Sequence, residues 1–132
     1  MNNTSGFDNT ANGSFTLANN ITGNNNTAVG SNALSSDTTG GNNTAVGRDA
    51  LLNDTTGESN VAIGRSALAS NTSGVTNIAI GTDSGSSVTT ASNIVCIGFG
   101  VGGANVDDTT WIGNVFGVTT QSGNTAPVHC FE

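Results

Sequence analysis

The sequence predicts an all-β fold, a parallel β-solenoid of seventeen-residue coils. Two observations carry that prediction: an exact internal period and three residue columns held in one register. Asn26-Thr27-Ala28-Val29-Gly30 returns as Asn43-Thr44-Ala45-Val46-Gly47, then Asn60-Val61-Ala62-Ile63-Gly64, then Asn77-Ile78-Ala79-Ile80-Gly81. A degenerate copy, Asn9-Thr10-Ala11-Asn12-Gly13, lies in phase before them, and Val95-Cys96-Ile97-Gly98 lies in phase after them. In the second column Gly6, Gly23, Gly40, Gly57 and Gly74 each follow Ser or Thr, and Ala91 takes the next place. The third column is Leu17, Leu34, Leu51 and Leu68, ending in Gly85.

Each repeat is expected to divide into a short strand, a turn, a second short strand and a polar turn. N-T-A-V and N-V-A-I alternate with period two, so Thr27 and Val29 share one side and Ala28 takes the other. The turn glycines Gly30, Gly47, Gly64 and Gly81 follow the strand, where a positive φ is expected. D-T-T-G and N-T-S-G supply the second turn. A seventeen-residue unit is too short for the common helical repeats and suits one coil of a solenoid.

Stacking at about 4.8 Å per coil turns columns into ladders. Val29, Val46, Ile63, Ile80 and Ile97 are expected to form an apolar core ladder. Asn26, Asn43, Asn60 and Asn77 form an amide ladder bonded between coils. The alanine column, Ala28, Ala45, Ala62 and Ala79 with Cys96 in line, then faces away from that core. Such a file of small groups on an outer face is read as an oligomer interface. A second, small interior layer is the alternative.

Composition explains why stacking is needed. Asn, Thr, Gly and Ser make up 73 of the 132 residues, whereas Leu, Ile, Val and Phe make up only 28. One coil alone hides little, and stacking makes the hidden strip continuous. Two arginines against nine acids give a net charge of −7, which argues against nucleic-acid binding and docking on anionic lipid. No apolar run is long enough for a membrane helix, and the start has neither a charged nor an apolar signal region, so no signal peptide is expected. Cys96 and Cys130 are too few for a disulfide framework, and one bridge, an intermolecular bridge or two free thiols all remain open.

N-V-A-I-G and N-I-A-I-G resemble the head repeats of trimeric autotransporter adhesins. The N-N-T-A-V-G-x-x-A-L form, with T-T-G between copies, is similar to repeats of phage and giant-virus tail-fibre-like proteins. The resemblance spans about residues 6–98. It implies a left-handed β-roll, a homotrimer and a fibre or adhesive role. Trp111–Thr120 resembles the segment that leads into the self-cleaving intramolecular chaperone of tail fibres.

Two regions are expected: a solenoid over 1–98 and an atypical C-terminal cap or assembly segment over 99–132. After Gly98 the period fails, and the next Ile-Gly arrives fifteen residues on. The columns run almost to residue 1, so the first coil is expected to lie open and to invite end-to-end stacking into filaments.

No catalytic, cofactor or metal site is expected. His129 beside Cys130 does not make a nucleophile pair, because neighbours in a strand face opposite ways. Gly98–Gly103 fits no dinucleotide fingerprint, and Asp107-Asp108 reads as a solvated loop. Arg48 and Arg65 stack one coil apart, with Asp49 and Glu58 to offset their repulsion. The expected function is therefore a non-enzymatic trimeric fibre protein, extracellular, at a cell surface or in a virion, with itself as partner. A receptor- or glycan-binding head is the alternative. An ice-binding solenoid is a further one, on the ladder Thr38, Thr55, Thr72 and Thr89 beside Thr39, Thr56, Ser73 and Thr90.

Overall fold

The computed structural model describes residues 3–113. Seven three-residue strands follow one another: β1 (Thr10–Asn12), β2 (Thr27–Val29), β3 (Thr44–Val46), β4 (Val61–Ile63), β5 (Ile78–Ile80), β6 (Val95–Ile97) and β7 (Thr110–Ile112). They form one parallel sheet in chain order with one strand per coil, so the second strand expected in each repeat is absent among the described residues, as is any helix. Consecutive strands pair at a step of seventeen, as in Ala28↔Ala45 and Ala62↔Ala79. The last step shortens to fifteen, pairing Cys96 with Trp111. The fold is thus an all-β parallel solenoid.

Backbone bonds between coils hold the stack well beyond the strands. Thr27 N–H donates to the Asn43 carbonyl at 2.8 Å, and Gly47 N–H donates to the Val29 carbonyl at 2.8 Å. Leu34 and Leu51 N–H donate to the Ala50 and Ala67 carbonyls, both at 3.0 Å. Such closure leaves few backbone groups unpaired where the coil is dry.

The turn glycines sit at φ between 125° and 137°, as the repeat requires. A Cβ on Gly64 would lie 2.5 Å from the Gly81 carbonyl oxygen and 2.6 Å from its carbon. The next coil approaches so closely that only glycine fits. The leucine column is unexpected in its backbone. Leu17, Leu34, Leu51 and Leu68 take φ of 48–51°, a region that costs a branched side chain about 1–2 kcal/mol. Each leucine is fully buried in return, and that burial is worth roughly 1.5–3 kcal/mol.

The core corrects the expected inside and outside. Ala28, Ala45, Ala62, Ala79 and Cys96 are fully buried and pack with the leucine column, together with Ala33, Ala50 and Ala67. The Val/Ile column, Val29, Val46, Ile63, Ile80 and Ile97, points outward and is not part of the core. The cause is the width of the coil. A methyl added at Gly85 would sit 2.9 Å from Leu68 Cδ2 and 3.3 Å from the Ala79 Cβ. Leucine from one wall already meets alanine from the other, so nothing larger than alanine fits on the inner side of the strand in these coils. The alanine column therefore corresponds to the interior layer and not to an interface.

Residues 99–113 extend the sheet by one shortened coil. Where the backbone ladder falters, side chains replace it: Asn105 Oδ1 accepts from the N–H groups of Thr89, Thr90 and Ala91, each at 2.9 Å. Asp107 Oδ1 accepts from Ser92 N–H at 2.8 Å. His129, Cys130 and the segment 114–120 lie outside the described residues.

Candidate functional site: the outer face of the sheet

Alternation along each strand places two residues outward per coil. One outer column runs Thr27, Thr44, Val61, Ile78, Val95, Thr110. The other runs Val29, Val46, Ile63, Ile80, Ile97, Ile112. Val46, Ile63, Ile78, Ile80 and Ile112 are each 37–41% exposed. The columns run on pleated strands spaced about 4.8 Å apart, so five intervals make a face roughly 24 Å tall. Parallel sheets are ordinarily covered on both faces. Here the inner face is covered by the coil itself and the outer one is bare within a single chain. A contiguous apolar surface of this kind marks a place of contact.

The amide ladder sits inside, beside this face. Asn26, Asn43, Asn60 and Asn77 are buried. Each Oδ1 accepts the backbone N–H of the residue one coil on, at 2.9 Å: Asn43, Asn60, Asn77 and Ile94 in turn. Each Nδ2 donates to a carbonyl fourteen residues ahead, as Asn43 does to Gly57 at 2.8 Å and Asn77 to Ala91 at 2.8 Å. The ladder thus bonds side chain to backbone and not amide to amide. Asn9 extends it by one rung, and Ile94 ends it.

The threonine ladder is spoken for. The hydroxyls of Thr38, Thr55 and Thr72 donate to the carbonyls of Thr55, Thr72 and Thr89 at 2.9–3.1 Å. They are half-buried staples between coils, whereas the adjacent Thr39, Thr56, Ser73 and Thr90 are exposed. Arg48 pairs with Asp49 at 2.9 Å as expected, whereas Arg65 pairs with Asp83 at 2.9 Å in place of Glu58.

The structure adds a further column. Asn20, Asp37, Asp54 and Asn71 recur at seventeen, three residues before Gly23, Gly40, Gly57 and Gly74, and all are buried. Asp37 Oδ1 accepts Gly40 N–H at 2.8 Å, and Asp54 Oδ1 accepts Gly57 N–H at 2.8 Å. Burial raises the Asp37 carboxyl to about 6, its backbone bonds pulling the other way. Burial, aided by the charge of Asp37, raises Asp54 to about 7. The in-phase N/D-x-x-G pattern was the available signal. Burial also raises the Cys96 thiol, which leaves it protonated and a poor nucleophile.

Among the described residues no group of three His, Cys, Asp or Glu side chains is placed to hold a metal ion, and no helix is long and apolar enough to cross a membrane. The fold and its bare outer face define the chain as a parallel β-solenoid with an apolar outer face. Comparison with known proteins adds no name to that class: no family model, curated protein or solved structure matches the chain.

Proposed function

We propose that the chain is a non-enzymatic structural protein, a homotrimeric left-handed β-roll that forms an extracellular or virion fibre. The observation that carries this reading is the uncovered outer face, with Ile63, Ile78 and Ile80 exposed on a parallel sheet. Covering that face with copies of the chain supplies the second apolar layer that a coil of this width cannot hold inside. The trimer and the left hand come from the resemblance to adhesin and tail-fibre repeats.

Growth along the stack is the second part of the proposal. Asn3, Asn9, Ala11, Leu17 and Asn20 line a cavity of about 220 Å³ at the β1 end of the solenoid. A further coil, from this chain or another copy, would seat on that end by the same bonds that join β1 to β2.

Light scattering over a dilution series tests both parts. A fixed mass of three 13.0-kDa chains, about 39 kDa, is expected of the trimeric unit. A mass that grows with concentration is expected if the ends stack. A monodisperse single chain at all concentrations would overturn the reading.

A further inference from the structure

We propose that Asn12-Gly13 is a modification site, at which the Asn12 carboxamide closes onto the Gly13 nitrogen, loses ammonia and is hydrolysed to aspartate and isoaspartate while the solenoid stays folded. The reaction needs a carboxamide that is not tied down, a following backbone nitrogen that is not bonded, and no side chain on the following residue to crowd the ring. Asn-Gly occurs once in the 132 residues, at this place. Glycine meets the last need, having no Cβ. Asn12 is exposed at the end of β1, and its side chain makes no hydrogen bond among the described residues. Its neighbours are held: Asn9 Nδ2 donates to the Gly23 carbonyl and Asn19 Nδ2 to the Ser35 carbonyl, both at 2.7 Å.

The nitrogen is set apart by its place in the stack. Gly30, Gly47, Gly64 and Gly81 N–H donate back to the carbonyls of Asn12, Val29, Val46 and Ile63, each at 2.8 Å. Gly13 N–H stands in the first coil and finds no such carbonyl among the described residues. Asn25 and Asn42 supply the contrast. Both are exposed, and neither carboxamide is bonded among the described residues. The nitrogen after each is locked, since Asn26 N–H donates to Asn9 Oδ1 and Asn43 N–H to Asn26 Oδ1, both at 2.9 Å. Asn26 and Asn43 are also buried, so freeing those N–H groups would leave them unpaired away from water. Turning the Asn12 carboxamide toward Gly13 asks only for movement at the end of β1, which pairs with β2 alone. A strand end with a partner on one side opens at low cost.

Water and base are the only co-reactants. Hydroxide takes the Gly13 N–H proton, and the nitrogen attacks Asn12 Cγ. A C–N bond forms there as the bond from Cγ to Nδ2 breaks, and Nδ2 leaves as ammonia. Water then opens the cyclic imide. Opening at the side-chain carbonyl gives aspartate, and opening at the backbone carbonyl gives isoaspartate, in which the main chain runs through the former side chain. Nothing is oxidised or reduced. Either product puts a carboxylate at the foot of an outer column whose later members, Val29 to Ile112, carry no charge.

The experiment incubates the full chain at neutral and mildly alkaline pH, folded in one sample and unfolded in guanidinium chloride in another. Circular dichroism follows the fold over time. Peptide mass spectrometry locates each acid formed from asparagine, and labelling by an isoaspartate methyltransferase counts the isoaspartate. In the folded sample, conversion is expected at Asn12 alone, faster at the higher pH, and within a few-fold of the rate in the unfolded sample. Asn25 and Asn42 are expected to stay intact while the chain is folded. Asn12→Gln is expected to abolish the isoaspartate label. An Asn12 that converts in the unfolded sample and stays intact in the folded one would overturn the proposal. So would conversion of Asn25 or Asn42 in the folded chain as fast as that of Asn12, or a label that persists in Asn12→Gln.

Discussion

Replacing Leu51 by alanine tests the interior of the coil directly. The side chain is fully buried and its removal leaves a cavity whose lining is pinned. Leu34 N–H to Ala50 and Leu51 N–H to Ala67 hold the coils apart at fixed spacing, so the space cannot close by letting a coil settle. Leucine-to-alanine substitutions in cores cost about 2–5 kcal/mol, and a wall that cannot relax places this one at roughly 3–4 kcal/mol. The backbone adds a sharper test. At φ 51° alanine keeps the left-handed penalty of leucine, whereas glycine sheds it. Leu51→Gly is therefore expected to be no less stable than Leu51→Ala. At an ordinary interior φ, glycine would be worse by about 0.5–1 kcal/mol. Gly85 already occupies this column at φ 69°. Urea unfolding by circular dichroism at one protein concentration measures all three proteins. A cost below about 1 kcal/mol for Leu51→Ala, or a glycine variant clearly weaker than the alanine one, would refute the reasoning.

Other substitutions separate the remaining parts of the structure. Ile63→Asp lies on the bare outer face and is expected to leave the circular dichroism of the coil in place while lowering the solution mass to one chain; an unchanged oligomer would exclude this face as the contact. Gly64→Ala drives a methyl against the Gly81 carbonyl and is expected to cost more than about 2 kcal/mol in urea unfolding, because backbone and not a flexible side chain stands in the way. Asn60→Ala removes the acceptor for Asn77 N–H and the donor to the Gly74 carbonyl. Asn77 N–H is left buried and unpaired, while the Gly74 carbonyl keeps its 3.2 Å bond from Asn71 Nδ2, so the substitution is expected to cost about 1–3 kcal/mol and amide exchange at Asn77 should speed up accordingly.

The period was legible because stacking demands it: any residue that touches its own copy one coil away is held to a narrow choice. That is why Asn26 to Asn77 and Gly30 to Gly81 stand where the spacing put them. Inside and outside exchange relative to the expectation because the width of the coil decides which residue of the strand can face in. In a wide sandwich the valines of T-A-V would face the core. In a coil whose leucine wall reaches the strand, only Ala28 and its copies fit. The sequence does hold that signal: the alanine place stays small from Ala11 to Ala79, whereas the outer places drift among Thr, Val and Ile. The leucine conformation was not legible, since leucine is a poor resident of positive φ and only burial in the finished stack offsets the cost. The Asp37 and Asp54 column looked like ordinary turn chemistry. Locally it is, with each carboxyl bonding the glycine N–H three residues on. Its burial arises only when coils above and below close over it, which no single repeat reveals.

Alternate residues of one three-residue strand thus face two different environments. The middle residue of β2 to β5, an alanine each time, packs inward with the leucine column, and its neighbours on either side face out. The coil closes with alanine, leucine and a file of bonded amides, so Ile63 of β4 and Ile78 and Ile80 of β5 stand outside that core. Ile63, Ile78 and Ile80 stand in solvent in a lone chain, and a surface of that kind gains free energy only when something covers it. A substitution at Ala62 should therefore damage the coil in a single chain, whereas one at Ile63, the very next residue, should damage only what the coil joins. Finding both effects at both positions would mean that coil and assembly fold as one step, with no stable single chain between them.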